Sequence, residues 1–296
     1  MQLSTKLQGW HYAFLGYASW GIFPIYWSPL FSSVMPADQI LAYRVIFSAL
    51  FAVFLVILFR QGRVVLNAFK SPKILLMFLI TSLMIGINWL VYLWALVNNH
   101  ILDASLGYFI NPLVNVFLGW LVLKERLNPT QLLALLSAAL GILWLAIPAG
   151  QIPWVALSLA LSFAVYALIR KLAPIEALAG LTLETLLMLP VAIGYLYYCY
   201  MQGSLVWSEL TTLQSLVLYG SGAATTLPLI WFAIGARKIS MSLLGMLQYT
   251  SPTLQFLCGF FLFGETLSMQ RMIGYLLVWL GVVIFLWGMK AKLKSA

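Results

Sequence analysis

The sequence predicts an all-α integral membrane protein of ten transmembrane helices, built as two inverted five-helix repeats over residues 1–149 and 150–296. Three observations predict it: the composition, the alternation of charge between apolar runs, and a self-similarity at one fixed offset. Of 296 residues, 63% are apolar and only 8% charged, with a mean hydropathy of +1.00. A water-soluble domain carries roughly 25% charged residues, so an ordinary soluble enzyme is excluded. A spanning helix needs about 20 apolar residues, so this length holds on the order of ten spans and leaves no room for a separate soluble domain. Cys199 and Cys258 lie inside apolar runs without C-x-x-C or His spacing, which excludes a zinc site, a redox pair and a disulfide framework.

Taken in order, apolar runs fall near 8–29, 38–59, 74–97, 102–123, 129–147, 152–169, 177–200, 212–235, 241–263 and 269–289. The first begins after Lys6, holds Trp20 and Pro24, and lacks a small-residue cleavage site, so it reads as a span rather than a signal peptide. Stretches such as Val45–Phe59 and Leu132–Ile147 are apolar on nearly every face, which suits helices and not the alternating strands of a barrel. On alternating loops, Lys6, Arg60, Arg63, Lys70, Lys73, Lys124, Arg126, Arg170, Lys171, Arg237, Lys238, Lys290, Lys292 and Lys294 fall on one side. The other side receives Arg271 with Asp38, Asp103, Glu209 and Glu265. By the positive-inside rule both termini are cytoplasmic. The net charge of +9 then lies where it meets anionic headgroups, and no nucleic-acid partner is implied.

Pro112 and Pro252, Gly119 and Gly259, Glu125 and Glu265, Leu127 and Leu267, and Gly141 and Gly281 all recur at one offset of 140 residues. Five spans per copy is an odd number, so the two copies point in opposite directions. Arg44 in the second span and Glu184 in the seventh share that offset. Each is costly to bury alone, so they are expected either to pair across a central cavity or to hold opposite ends of a zwitterionic solute, with snorkelling to the headgroups as the alternative.

In the fourth span Ser105, Tyr108, Asn111 and Asn115 share one helix face ending in Gly119; shifted by the offset, that face becomes Gly245, Gln248, Ser251, Gln255 and Gly259. Pro112 and Pro252 each free a carbonyl beside the stripe, so both helices are expected to line a path, the alternative being hydrogen bonds that tie helices together. Trp20, Gly21, Pro24 and Tyr26 in the first span, with Asn88, Trp89, Tyr92 and Trp94 in the third, supply the aromatic and polar mixture of a small-molecule pocket. Trp154, Trp207 and Trp287 near span ends read as interfacial anchors. His100 with Asp103 reads as a solvated turn, and Glu125 and Glu265 as capping or turn residues. Gly141 and Gly281, with Ala134 and Gly274 two turns earlier, read as close-packing positions between helices, or as the contact of a homodimer. No phosphate loop, His-Glu-x-x-His or Gly-x-Ser-x-Gly is present, so no enzyme and no cofactor are expected.

At these residues the chain resembles the RarD-type permeases, or chloramphenicol-sensitivity proteins, of the drug/metabolite transporter superfamily with its paired EamA repeats. The resemblance covers nearly the whole chain. It rests on Trp20-Gly21-x-x-Pro24-x-Tyr26, Ala42-x-Arg44, Asn88-Trp89-x-x-Tyr92, the run Ala104 to Leu113, Arg170-Lys171, Leu183-Glu184-Thr185 and Gln248-Tyr249-x-x-Pro252-Thr253. Tyr43 and Phe47 depart from it, standing where His and Trp are more usual. The resemblance implies a bacterial inner-membrane permease, with both termini cytoplasmic, that exports or exchanges small metabolites or amphipathic drugs by alternating access. Arg44 and Glu184 would bind or gate. Asn88, Asn111, Asn115 and Gln248 would orient the solute, and Trp20, Trp89, Tyr92, Tyr108, Tyr249 and Thr253 would complete the path. The rival readings are a non-transporting membrane scaffold or sensor, and an uncoupled pore-like facilitator.

Overall fold

The computed structural model describes residues 8–30, 35–97, 101–146, 154–262 and 269–294, and among them the chain is all-α. The helices are α1 (Gly9–Gly21), α2 (Phe23–Trp27), α3 (Ala37–Leu58), α4 (Gly62–Lys70), α5 (Pro72–Val97), α6 (Ile101–Leu123), α7 (Pro129–Ala146), α8 (Trp154–Leu172), α9 (Ala177–Met201), α10 (Thr212–Lys238), α11 (Met241–Gln248), α12 (Thr250–Phe261) and α13 (Met269–Lys294). Five of them, α3, α5, α8, α9 and α10, are long and apolar enough to cross a membrane, and shorter apolar stretches lie in α6, α7 and α13.

Local chemistry explains the boundaries. Thr211 and Gln214 form a reciprocal cap on α10, and the Ser240 hydroxyl accepts from Leu243 N at 3.1 Å to start α11. The first expected span is broken: α1 stops at Gly21 and Pro24 sits near the start of α2, where a missing N–H costs nothing. The ninth is broken in the same way at Tyr249, with Pro252 in the first turn of α12. Pro112, Pro190 and Pro228 instead lie inside continuous helices, as packed membrane helices allow. α4 was not among the expected elements. It is a short amphipathic helix that buries Val65 and Ala68 and leaves Arg63 exposed, the pattern of a segment lying along an interface.

Outward faces are apolar: Leu50, Phe54 and Ile57 on α3, Leu132, Leu136, Leu140 and Leu143 on α7, and Leu276, Leu280 and Val283 on α13 are all exposed. Such stripes suit lipid, and the chain is a multi-pass membrane protein. Inside, α1 packs on α10 as α5 does on α8, α3 on α10 as α5 does on α9, and α6 on α8 as α1 does on α11 and α12; α3 with α9, α6 with α11 and α7 with α13 complete the principal contacts.

The tight α7–α13 contact uses the small residues. A methyl built on Gly141 would stand 2.8 Å from the Gly274 carbonyl, and one on Gly281 2.6 Å from that of Ala134, while the Ser137 hydroxyl donates to Leu277 O at 2.9 Å. The stripe packs α7 against α13 within the chain, the close-packing role expected of it. Gly141→Val or Gly281→Val is expected to lose about 1–3 kcal/mol of stability, read as a lowered thermal midpoint of the purified protein; an unchanged midpoint would show that α7 and α13 slide apart freely.

Candidate translocation site

Arg44 and Glu184, the two charges the sequence places deep in spans, are kept apart by their helices. Gln39, at the start of α3, donates to Ser204 O at 2.7 Å beyond the end of α9, whereas Gln61, after the end of α3, donates to Glu176 Oε2 at 2.7 Å just before α9 begins. The two helices are thus antiparallel. Arg44 and Glu184 each stand seven residues beyond the first residue of their helix, about 10 Å in at 1.5 Å per residue. They therefore lie at opposite ends of the bundle, and the expected pairing is not made.

Around Arg44 five helices converge. The guanidinium Nε donates to Thr225 Oγ1 on α10 at 2.7 Å. Its carbon stands 4.2 Å from the centroid of Trp89 on α5 and 5.7 Å from that of Trp27 on α2. Tyr26, Tyr92 and Tyr108 lie within electrostatic range, and the rings of Tyr92 and Tyr108 meet edge to face at 5.7 Å. Arg44, Tyr26, Trp27, Trp89, Tyr92 and Tyr108 are all only half-buried. A separate surface recess of about 730 Å³ lies between the end of α6 and the start of α7, lined by Trp120, Lys124, Glu125 and Leu132 among others, away from this cluster.

At the Glu184 end the charge is paired and buried. Arg170 Nη1 stands 3.7 Å from Glu184 Oε1 with both side chains almost fully buried, and the Tyr166 hydroxyl donates to Glu184 Oε2 at 3.4 Å. Arg170 Nη2 donates to Ala177 O at 2.9 Å and the guanidinium lies over Phe78. At the same end Glu125 reaches from the first half to the second: its carboxylate accepts from Met241 N at 2.7 Å, Ser242 N at 3.1 Å and Ser242 Oγ at 2.7 Å. Lys124, in the left-handed region at φ 54, turns the chain so that Glu125 N bonds back to Gly119 O. Gly119 leaves room for that carboxylate, since a methyl there would stand 3.0 Å from Glu125 Oε2. Lys171 Nζ donates to Ala236 O and Ile239 O, closing the end of α10. The capping expected of Glu125 is thus made, on α11 instead of its own turn.

The amide stripe serves as interhelical ties. Asn111 Nδ2 donates to Ala160 O at 3.2 Å, and Asn115 Nδ2 to Asn111 Oδ1 at 3.0 Å and to Gln248 Oε1 at 2.8 Å. Asn88 Nδ2 donates to Leu159 O at 2.9 Å and Ser162 Oγ at 3.1 Å, and the Tyr249 hydroxyl to Phe109 O at 3.3 Å. All five are buried. Thr253 accepts from Trp279 Nε1 at 2.8 Å, facing α13, and Trp20 packs edge-on against Phe163 and Tyr17. Of the expected residues with described side chains, Arg44, Tyr26, Trp89, Tyr92 and Tyr108 gather in one cluster. His100, Glu265 and the side chains of Asp103, Ser105 and Arg271 lie outside the described residues.

Sequence reasoning missed Thr225, Trp27, Arg170 and Tyr166. Arg170 carried a misleading signal, because it sits beside Lys171 at a span end and reads as one more cytoplasmic cation. Thr225 and Trp27 carried none.

The model of the EamA-like transporter family matches residues 7–147. Protein RarD of Salmonella typhi is 39% identical over 285 residues and that of Escherichia coli (strain K12) 38%, each alignment covering 96% of both chains. The chain belongs to the RarD-type permeases. Other members of this EamA-like group include the chloramphenicol-sensitive protein RarD of Pseudomonas aeruginosa, 30% identical with 87% of each chain covered. A solved crystal structure superposes with a TM-score of 0.70 at 19% identity, covering 94% of this chain and 96% of its own, which speaks for the fold alone. This RarD-type permease is thus a membrane transporter by family.

Proposed function

We propose that the chain is a secondary carrier of small organic molecules in the bacterial inner membrane, both termini cytoplasmic, in which residues 1–149 and 150–296 rock against each other as inverted repeats. The observation that carries this reading is the contrast between the bundle's two ends. One presents Arg44 and its half-exposed rings; the other is sealed by Arg170–Glu184 and by the Glu125 contact with α11. One end accessible and one end shut is what alternating access requires of a single state. The reciprocal packing of α1 on α10 and α5 on α8, with Tyr249 bonded to a residue 140 positions away, supports the inverted repeat. With Glu184 committed to Arg170, proton exchange through it has little support, and uncoupled exchange is the simpler mechanism. A pore would need a continuous polar lining, and the buried amides are spent on one another. A scaffold would not need half-exposed tryptophans around a charge.

Thermal stabilisation of the purified protein by a panel of amino acids, nucleosides, sugars and amphipathic aromatics, chloramphenicol included, tests the reading. A stabilising solute should also show saturable counterflow in proteoliposomes, and Trp89→Ala should weaken both about tenfold, as stacked aromatic contacts allow. Linear uptake without counterflow would mean a facilitator. A silent panel from folded protein would favour a scaffold.

A further inference from the structure

Arg44 holds a charge that nothing in the described residues answers. A guanidinium has five N–H donors, and among the described residues Arg44 makes one hydrogen bond, from Nε to Thr225. No carboxylate among the described residues pairs with it: Glu184 faces Arg170, Glu125 caps α11, Glu176 accepts from Gln61, and Asp38 accepts from the backbone of Gln39. The rings of Trp89 and Trp27 offer cation–π attraction alone, which is weak compensation for a cation at this depth.

The repeat sharpens the point. In the second half Arg170 neutralises Glu184; 140 residues before Arg170 stands Leu30, so the first half carries the charged position without the countercharge. The four remaining N–H donors on the two Nη atoms form the planar fork that matches a carboxylate, and they lie in the half-buried cluster beside aromatic side chains of α2, α5 and α6.

Resting on the carrier reading, we propose that this cluster is an oxyanion subsite and that the transported solutes are small organic anions: a carboxylate on Arg44, with an apolar or aromatic body against Trp27, Trp89, Tyr92 and Tyr108. The Nη donors complete their hydrogen bonds on the solute, and the solute's charge supplies the countercharge that the described residues do not. A lipid headgroup phosphate shares the oxyanion chemistry, but the groups around Arg44 come from converging helices, which suits a soluble ligand with a ring.

The full-length protein in uncharged detergent, free of added anionic lipid, is titrated with benzoate, phenylacetate and indole-3-acetate and with their neutral amides, following thermal midpoint and tryptophan fluorescence. At least one acid should bind about tenfold more tightly than its amide, as expected for charge-assisted hydrogen bonds over neutral ones. Arg44→Gln should bring that ratio to about one, with acid affinity falling further than amide affinity. Arg44→Lys should fall between them, keeping the charge and losing the fork. If Arg44→Gln fails to fold, Thr225→Val, which releases the guanidinium from its anchor, should lower acid affinity several-fold with amide affinity unchanged. Equal binding of acid and amide, or an acid preference that survives Arg44→Gln, overturns the anionic subsite and leaves a carrier of neutral solutes. Stabilisation by an anionic lipid but by none of the acids overturns the solute assignment in favour of a headgroup. Absence of binding by all six probes overturns the proposal outright, and the carrier reading then stands or falls on the wider panel.

Discussion

Arg170→Ala is expected to destabilise the protein by about 3–5 kcal/mol, the cost of breaking a buried ion pair by removing one partner. Arg170 is 1% exposed, and it faces Glu184 at 3.7 Å with Nε and Nη1 and the facing Oε1 left without hydrogen bonds. Such a pair contributes little net stability, because desolvation offsets most of its attraction, yet either half alone is a buried, unanswered charge. The double variant Arg170→Leu with Glu184→Leu should therefore recover much of the loss, and Glu184→Gln should fall between, since its amide still accepts from Tyr166. Gly180 packs its backbone directly beneath the guanidinium, so the recovery stops short of complete. Thermal midpoints of the variants in one detergent give the order. Equal losses in the single and double variants would mean that shape, not charge, holds this end together.

Much of this fold is legible from residues alone, because the bilayer imposes a length and a polarity on every span. α5 runs Pro72–Val97 and α9 Ala177–Met201, within a few residues of the apolar runs at 74–97 and 177–200. What proline does is not legible: Pro112, Pro190 and Pro228 sit in unbroken helices while Pro24 and Pro252 follow breaks, and the difference lies in neighbours that sequence does not place. α4 hid among Arg60, Arg63 and Lys70, whose charges read as loop. At the site, the depth of Arg44 was visible and its surroundings in part, through Trp89, Tyr92 and Tyr108. The partner of Glu184 was not. Equal positions in inverted copies look like neighbours on paper, but inversion reflects depth through the midplane, and two residues each about 10 Å from the start of antiparallel helices must lie apart. The face shared by Asn111 and Asn115 was equally plain from spacing; that these amides are bonded to Gln248 and the Ala160 carbonyl depends on the rotation of α6, which no periodicity fixes.

Glu125→Ala should open the sealed end. Glu125 is supplied by the first half and holds the first turn of α11 in the second, through three hydrogen bonds to one carboxylate. A hydrogen bond to a charged group contributes about 1.5–3 kcal/mol, and an anion at a helix N-terminus gains further from the dipole. If the two halves separate here during transport, those bonds exist in the sealed state and are broken in the other, so their removal moves the equilibrium by its full differential energy. Losing even one such bond's worth is about a tenfold shift, since 1.4 kcal/mol is a decade. Ser82, buried beside the Glu184 carbonyl, reports it: with Cys199 and Cys258 replaced by Ser, a Ser82→Cys reporter should react with a polar maleimide at least about tenfold faster when Glu125 is Ala. Glu125→Gln, which accepts but carries no charge, should give an intermediate rate. The thermal midpoint separates this from general loosening, because a shift between two folded states speeds labelling well below the melting range, whereas loosening lowers the midpoint in proportion. An unchanged labelling rate would confine Glu125 to capping and place the moving contact elsewhere, with Gln61 and Glu176, another side-chain tie between the halves at this end, next in line.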